Sequence, residues 1–175
     1  MFNIIVVAIV VVVAAALAYA KSRPDAFHIE RTTNIKAPPE KIFPLINDLH
    51  SWMAWSPYEK LDPAMKKTHS GAPSGKGAVY AWEGNMKAGA GSVEIADAAP
   101  PSRVNIKLHM IKPFAANNDV EFRLEPKGGG TDVTWAMDGK YIFITKVMGL
   151  FMNMDKMAGG QFEEGLANMK KVAER

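Results

Sequence analysis

The sequence contains no cysteine among its 175 residues. This excludes a disulfide framework, a thiolate nucleophile, and a metal or iron–sulfur cluster held by cysteine. A strong excess of either charge is also missing, because 21 Lys and Arg oppose 18 Asp and Glu. No arginine-rich stripe with interleaved aromatic residues accompanies this small excess. We therefore expect no nucleic-acid partner.

Motifs for metal binding and for nucleophilic catalysis are missing as well. The four histidines are not spaced as the i, i+4 pair of a helical zinc site, and no G-x-S-x-G elbow is present. The glycine-rich stretches at residues 71–77 and 128–130 lack the Lys-Ser or Lys-Thr that follows a phosphate-binding loop. We therefore expect no metal and no cofactor, and no motif identifies a catalytic residue.

A few polar residues remain as candidates for acid–base chemistry in an internal cavity: Glu83, Asn85, Asp138 and Asp155. Strand alternation predicts that Glu83 and Asp138 face solvent. Asp155 neighbours the apolar stripe of a predicted helix, where a surface ion pair or a helix contact is its expected role. The sequence therefore favours binding over catalysis.

The first twenty residues contain no charged side chain, and Asn3 is their one polar residue. A helix over this run is about 30 Å long, enough to cross the hydrocarbon core of a bilayer. We therefore predict a transmembrane anchor at residues 1–20. A short polar linker at residues 21–26 would then hold the domain that begins at residue 27 close to the bilayer.

Two features bear on the fate and orientation of this segment. Lys21 and Arg23 follow the apolar run, which favours a cytoplasmic location for the domain. Ala18-Tyr19-Ala20, in contrast, has the small-x-small form of a signal-peptidase site. The alternative to a single-pass anchor is therefore export after cleavage near Ala20.

Residues 27–175 carry the pattern of an α+β domain. Apolar and polar residues alternate from Phe27 to Lys36, which predicts a first strand. Two short helices follow, the first with an apolar stripe from Ile42 to Leu49 and the second around the aromatic residues of segment 52–58. Six further strands are predicted at about residues 66–70, 77–83, 86–97, 103–111, 117–126 and 130–141.

The turn between the third and fourth strands bears on the interior. Gly84-Asn85 is typical of a two-residue hairpin. Such a turn pairs Tyr80 with Gly89 and Trp82 with Lys87, so aromatic residues and glycines would share the apolar face. Bulky rings opposite glycines leave space beneath the sheet.

The last thirty residues change from strand to helix periodicity. An apolar stripe from Val147 to Ala173 predicts a long amphipathic helix, bent or interrupted at Gly159-Gly160. The expected fold is a curved antiparallel sheet of about seven strands wrapped around this helix, with an apolar cavity between them. The predicted cavity residues are Trp55, Tyr80, Trp82, Met110, Trp135, Phe151, Met154 and Phe162.

Several segments resemble one known family. These are residues 35–43, Trp52, Trp55-Ser56-Pro57-Tyr58, residues 77–85, Lys112-Pro113-Phe114, Met154-Asp155-Lys156-Met157 and residues 162–166. Together they resemble bacterial SRPBCC proteins of the polyketide cyclase/dehydrase type, in the START-like, Bet v 1-like superfamily. The resemblance covers residues 27–174 and implies a helix-grip fold; some family members carry an N-terminal membrane helix.

The resemblance leaves several functions open, because this superfamily includes lipid carriers, receptors and aromatase/cyclases. Combined with the anchor and the expected cavity, it favours a protein of the bacterial inner membrane that binds a hydrophobic small molecule or lipid without catalysis. The alternatives are an aromatase/cyclase-like enzyme acting on a polyketide or aromatic substrate, and a structural or regulatory partner of a membrane protein.

Overall fold

The computed structural model describes residues 2–175, without the side chains of Phe2 and Met154. A long N-terminal helix, α1 (Phe2–Ser22), precedes the domain. Among the described residues, α1 is the one helix long and apolar enough to cross a membrane. Its side chains are exposed along nearly the whole length, apart from Ala16 and Ala20 near its end. Such a helix fits a membrane anchor and a signal sequence alike.

The domain contains one seven-stranded antiparallel sheet, as the sequence predicts. Its strands are β1 (Ala26–Ile35), β2 (Lys66–Gly71), β3 (Ala78–Glu83), β4 (Ala90–Ala99), β5 (Arg103–Lys112), β6 (Ala116–Lys127) and β7 (Gly130–Lys140). Their order in the sheet is β1-β7-β6-β5-β4-β3-β2. Strands β2 to β7 therefore form a meander, and β1 returns to pair with β7.

Helical segments connect β1 to β2 and follow β7. They are α2 (Pro39–Asn47), the 3₁₀ turns Leu49–Ala54 and Pro57–Lys60, α3 (Phe143–Met148) and α4 (Met154–Ala173). Helix α2 begins at Pro39, where the missing N–H costs nothing. It buries Ile42, Phe43 and Ile46 against the sheet, which places the two 3₁₀ turns beside the concave face.

The long C-terminal helix begins later than predicted. The chain leaves α3 at Gly149, and α4 begins after Asn153, whose side chain accepts a hydrogen bond from the Lys156 N–H at 2.9 Å. The interruption therefore precedes Gly159-Gly160, and the helix continues through these residues. Gly159 is suited to this position because a Cβ there would lie 2.0 Å from Nη2 of Arg31, which packs across the helix.

The prediction of a two-residue hairpin after β3 is also wrong. The β3–β4 loop contains six residues, and Trp82 pairs with Gly91 and Tyr80 with Val93. The side chain of Asn85 accepts a hydrogen bond from the Lys87 N–H, and the Gly89 N–H donates to the carbonyl of Asn85 at 2.7 Å. Gly89 has φ +66°, a value that favours glycine, so the wider loop closes there.

The strand registers define two ends of the sheet. One end, here named the linker end, carries Ala26, Glu83, Ala90, Lys112, Ala116 and Lys140. The far end carries the opposite strand termini, including Ile35 and Thr131. Helix α4 runs along the sheet from the linker end to the far end, since Asp155 contacts Arg31 of β1 and Lys170 contacts Asn34.

Candidate functional site

A cavity of about 310 Å³ lies between the concave face of the sheet, the 3₁₀ turn Pro57–Lys60 and α4. Its lining is mainly apolar. The apolar residues contributed by the strands are Tyr80, Trp82, Val93, Ile106, Leu108, Met110, Val120, Trp135 and Met137. The apolar lining is completed by Trp52, Tyr58, Leu61, Met65, Ala88 and Phe162. Such a volume lies at the lower end of the range of small-molecule sites.

The pairing of Trp82 with Gly91 shapes one wall of the cavity. A Cβ at Gly91 would lie 2.9 Å from the indole ring of Trp82, so the ring lies directly over the glycine. The indole Nε1 donates to the carbonyl of Ala88 at 3.0 Å. The idea that an aromatic residue lies opposite a glycine therefore holds, but for a different pair of residues from the predicted one.

Trp135 forms the floor of the cavity where α4 approaches the sheet. Its ring stacks on Phe162 with centroids 4.3 Å apart and planes within 8°. A Cβ at Gly165 would lie 2.7 Å from the same indole, so the absence of a side chain lets the helix approach this closely. Helix and sheet thus meet at Trp135, and the cavity begins on its linker side.

The cavity also has one acidic residue, Glu59, whose side chain is 8% exposed. Its carboxylate accepts a hydrogen bond from the Tyr80 hydroxyl at 2.7 Å and pairs with the Lys67 ammonium. Burial raises the pKa of Tyr80, and the adjacent carboxylate raises it further. At neutral pH Tyr80 is therefore a protonated phenol that donates to the carboxylate of Glu59.

Two buried polar atoms of the lining have no hydrogen-bond partner among residues 2–175. They are Nε1 of Trp135, a donor, and Oδ1 of Asn118, an acceptor. Buried polar groups are normally paired. The site therefore combines an apolar body with a few polar positions, an arrangement that suits a ligand with both characters.

Five of the eight predicted cavity residues line the cavity: Tyr80, Trp82, Met110, Trp135 and Phe162. That they contact a ligand remains a prediction. Of the other three predicted residues, Trp55 and Phe151 do not line this cavity, and the side chain of Met154 lies outside the described part of the chain.

Trp55 does not line the cavity. It is 1% exposed and packs behind the lining, where its Nε1 donates to the carbonyl of Leu45 at 2.8 Å. Phe151 is 84% exposed in the segment between α3 and α4, because the predicted helical stripe is interrupted there. The side chain of Met154 lies outside the described part of the chain.

The polar candidates from the sequence do not line the cavity. Glu83 pairs with Lys112 and Asp138 with His28 on the exposed side of the sheet, and Asp155 pairs with Arg31. Asn85 closes the β3–β4 loop. Sequence reasoning missed Glu59, because a 3₁₀ turn has no strand parity to show which way its side chains point.

Comparison with known proteins identifies the fold and the family. Protein MLL2253 from Mesorhizobium loti has a TM-score of 0.63 at 16% identity, covering 85% of this chain and 98% of its own. Protein CV1439 from Chromobacterium violaceum has a TM-score of 0.62 at 12% identity, covering 85% and 97%. The Aha1 dimer from Colwellia psychrerythraea has a TM-score of 0.58 at 18% identity, covering 85% and 96%.

These structural similarities establish the fold alone. Comparison with curated proteins gives no significant match. The sequence of residues 26–174, however, matches the family described as polyketide cyclase/dehydrase and lipid transport. The match spans nearly the whole domain. The chain therefore belongs to this SRPBCC family of Bet v 1-like, helix-grip proteins.

Proposed function

We propose that the protein is a membrane-anchored binding protein that holds a hydrophobic small molecule or lipid in the cavity without catalysing a reaction. The single observation that carries this proposal is the cavity itself, whose lining is predominantly apolar. Transfer of apolar surface from water into such a space contributes about 25 cal/mol per Å². A ligand with a hydrocarbon or aromatic body would gain most of its binding energy in this way.

The polar side chains at one wall of the cavity narrow the expected class of ligand. Glu59, Tyr80 and Lys67 form a hydrogen-bonded group at one wall. A ligand with one polar group at the end of an apolar body could place that group beside this wall and its body against the apolar lining.

The anchoring part of the proposal is supported by α1 and its short connection to the domain. Nearly all side chains of α1 are exposed and apolar, which is unfavourable in water. Three residues, Arg23 to Asp25, separate α1 from β1. The domain would therefore lie at the membrane surface, where hydrophobic ligands are available.

The test is to identify what purifies with the full-length chain. We expect organic extraction followed by mass spectrometry to recover one class of hydrophobic molecule in about equimolar amount. The matched control is Leu108→Trp, which places a larger ring inside the cavity and leaves α1 unchanged. Bilayer lipids that merely surround α1 would persist in this variant, whereas a cavity ligand would be lost. Equal recovery from both proteins would contradict the proposal.

One observation favours a second candidate, an aromatase/cyclase-like enzyme. A carboxylate and a phenol lie in hydrogen-bond contact at the cavity wall, as a proton-transfer pair would require. The Lys67 ammonium, however, already engages this carboxylate in an ion pair. If Glu59 binds the ligand without chemistry, Glu59→Gln should reduce the recovered amount without changing the molecule's mass. Accumulation of a different, unconverted compound in this variant would instead support the enzyme.

A further inference from the structure

The linker end of the sheet concentrates the exposed apolar residues of the domain. Outside α1, nearly all large apolar side chains that are exposed among the described residues lie here, and the exceptions are Met53 and Tyr58. The principal members, here named the apolar rim, are Met86, Ile111, Phe114, Phe143, Ile144 and Phe151. They come from the β3–β4 loop, the end of β5, the β5–β6 loop, α3 and the segment after α3.

The apolar rim lies next to the point where α1 ends. Helix α3 packs against α1, and Ala20 is fully buried there. The Lys146 ammonium of α3 donates to the carbonyl of Arg23 at 2.7 Å and pairs with Asp25. The Arg23 guanidinium donates to the carbonyl of Gly149 at 3.2 Å. These contacts fix α3 at the level of the linker.

The charges around the rim suit an anionic lipid surface. Lys21, Lys87 and Lys140 are exposed and form no ion pair within residues 2–175. Basic residues near an anionic bilayer favour association through their attraction to the lipid headgroups. Exposed aromatic and aliphatic side chains beside basic residues are typical of segments that lie in the headgroup region.

The cavity wall and the apolar rim alternate along the same chain segments. Met110 lines the cavity, and the next residue, Ile111, points outward. In the β3–β4 loop, Lys87 and Ala88 line the cavity directly after the exposed Met86. The part of the cavity nearest the linker end of the sheet is thus lined by residues that directly adjoin members of the apolar rim in the sequence.

We propose that the linker end docks on the bilayer, with the apolar rim inserted among the lipid headgroups and the cavity facing the lipid from which its ligand comes. This inference rests on the proposed function for the ligand and for the anchor. It adds that the domain contacts the membrane in one fixed orientation. Tethering by α1 makes this contact intramolecular, so a modest apolar surface suffices.

The absence of cysteine from the chain makes a direct test possible. Single cysteines are introduced into the full-length protein as Ile111→Cys in the rim, Lys76→Cys near the far end and Val11→Cys in α1. Each carries a bimane fluorophore, and the protein is reconstituted in phosphatidylcholine–phosphatidylglycerol vesicles. Spin-labelled lipids quench fluorophores near the headgroups or, with a deeper label, near the bilayer centre.

We expect the headgroup quencher to reduce the fluorescence of the Ile111 label by about twofold or more and to leave the Lys76 label unchanged, as for an inserted surface. The deep quencher should act on the Val11 label. Quenching at Val11 with equal, low quenching at Ile111 and Lys76 would overturn the docking and leave the anchor intact. Quenching at Ile111 without quenching at Val11 would support the docking and overturn the anchor.

A second pair of variants tests whether the rim itself causes the contact. The double variant Phe143→Asp, Phe151→Asp changes two side chains that are at least half exposed, so the fold should persist. We expect it to abolish quenching of the Ile111 label. Met53→Asp, an equally exposed residue outside the rim, should retain the quenching. Loss in both variants or in neither would contradict the docking.

Discussion

The two ends of the space between sheet and helix differ in how completely they are filled. At the far end the inward-facing side chains are excluded from solvent; Ile35, Val104, Phe122, Leu124, Leu166 and Met169 are each 2% exposed or less. At the linker end Trp82, Leu108 and Met137 are only partly buried and surround the cavity. One sheet therefore combines a closed core with an open site.

The helix sequence explains this difference. The half of α4 that faces the far end contributes Phe162, Leu166 and Met169, whose large side chains fill the space beneath the sheet. The half nearer the linker end contains Ala158, Gly159 and Gly160, which fill little. We therefore expect stability to depend mainly on the far end, whereas the linker end retains the cavity.

The largest expected effect comes from the closed core. Phe122 is fully buried and contacts the rings of Trp52, Trp55 and Trp135. Phe122→Ala should lower the free energy of unfolding by about 3–5 kcal/mol, because a rigid core cannot collapse around the void. Urea denaturation of the full-length protein in a mild detergent, followed by tryptophan fluorescence, measures this change.

The matched variant in the cavity is Leu108→Ala. Its side chain is partly buried and already borders empty space, so truncation should cost about 1–2 kcal/mol, mainly the transfer term for the three carbon atoms removed. Equal losses in Leu108→Ala and Phe122→Ala would remove the distinction between the two ends.

A smaller effect is expected where the closed and open parts meet. Gly165→Ala places a Cβ 2.7 Å from the Trp135 indole and 3.1 Å from Cδ of Pro57. The overpacking should outweigh the gain in helix propensity and destabilise the protein by about 1 kcal/mol. Displacement of α4 should also change the cavity, so the affinity for a fluorescent fatty-acid probe should shift. A stability gain would show that α4 has room to move away from the sheet.

The opposite sign is expected five residues earlier in α4, at Gly160. A Cβ there meets no atom within 4 Å, and the residue lies within α4. Gly160→Ala should therefore stabilise the protein by about 0.5–1 kcal/mol through the smaller loss of backbone entropy. The midpoint of thermal unfolding should rise by about 2–4 °C per kcal/mol for a domain of this size. Unchanged or lower stability would mean that this half of the helix is packed more tightly than the structure indicates.

The alternation of apolar and polar residues predicted most of the sheet, because burial of each inward-facing apolar side chain stabilises the fold. Strands β5, β6 and β7 lie within one residue of their predicted bounds, and Val104, Ile106, Val120 and Phe122 face inward as expected. Register and helix bounds were harder to predict, since they depend on single residues. Gly89 with φ +66° widened one loop, and Asn153 set the start of α4.

The cavity was predictable in outline and not in its polar detail. The large aromatic residues of strands, such as Tyr80 and Trp135, follow from alternation, and both line the cavity. Glu59 lies in a 3₁₀ turn, where no period indicates its direction. Its burial depends on Lys67 and Tyr80, which lie in other elements and meet it only in the folded chain.

The smallest expected effect concerns pH and the contact between α3 and the linker. The Lys146 ammonium, through its hydrogen bond and its charge, holds the pKa of Asp25 below its usual 3.8. The carboxylate therefore stabilises the folded state fully above the unfolded-state pKa, and this contribution is lost as the pH falls through the lower, folded-state value. Acid should loosen α3 at the linker end before the closed core unfolds.

A nitroxide attached to Ile144→Cys in α3 would report this change by electron paramagnetic resonance. Its mobility should be constant from neutral pH to about pH 4 and increase below that value. With Asp25→Asn added, the label should already be mobile at neutral pH and should show no further change on acidification. The matched label at Lys76→Cys, near the far end, should not respond over the same range, because no contact with Asp25 supports that region. A simultaneous response of both labels would indicate unfolding of the whole domain, and would remove the independence of the two ends on which the comparison rests.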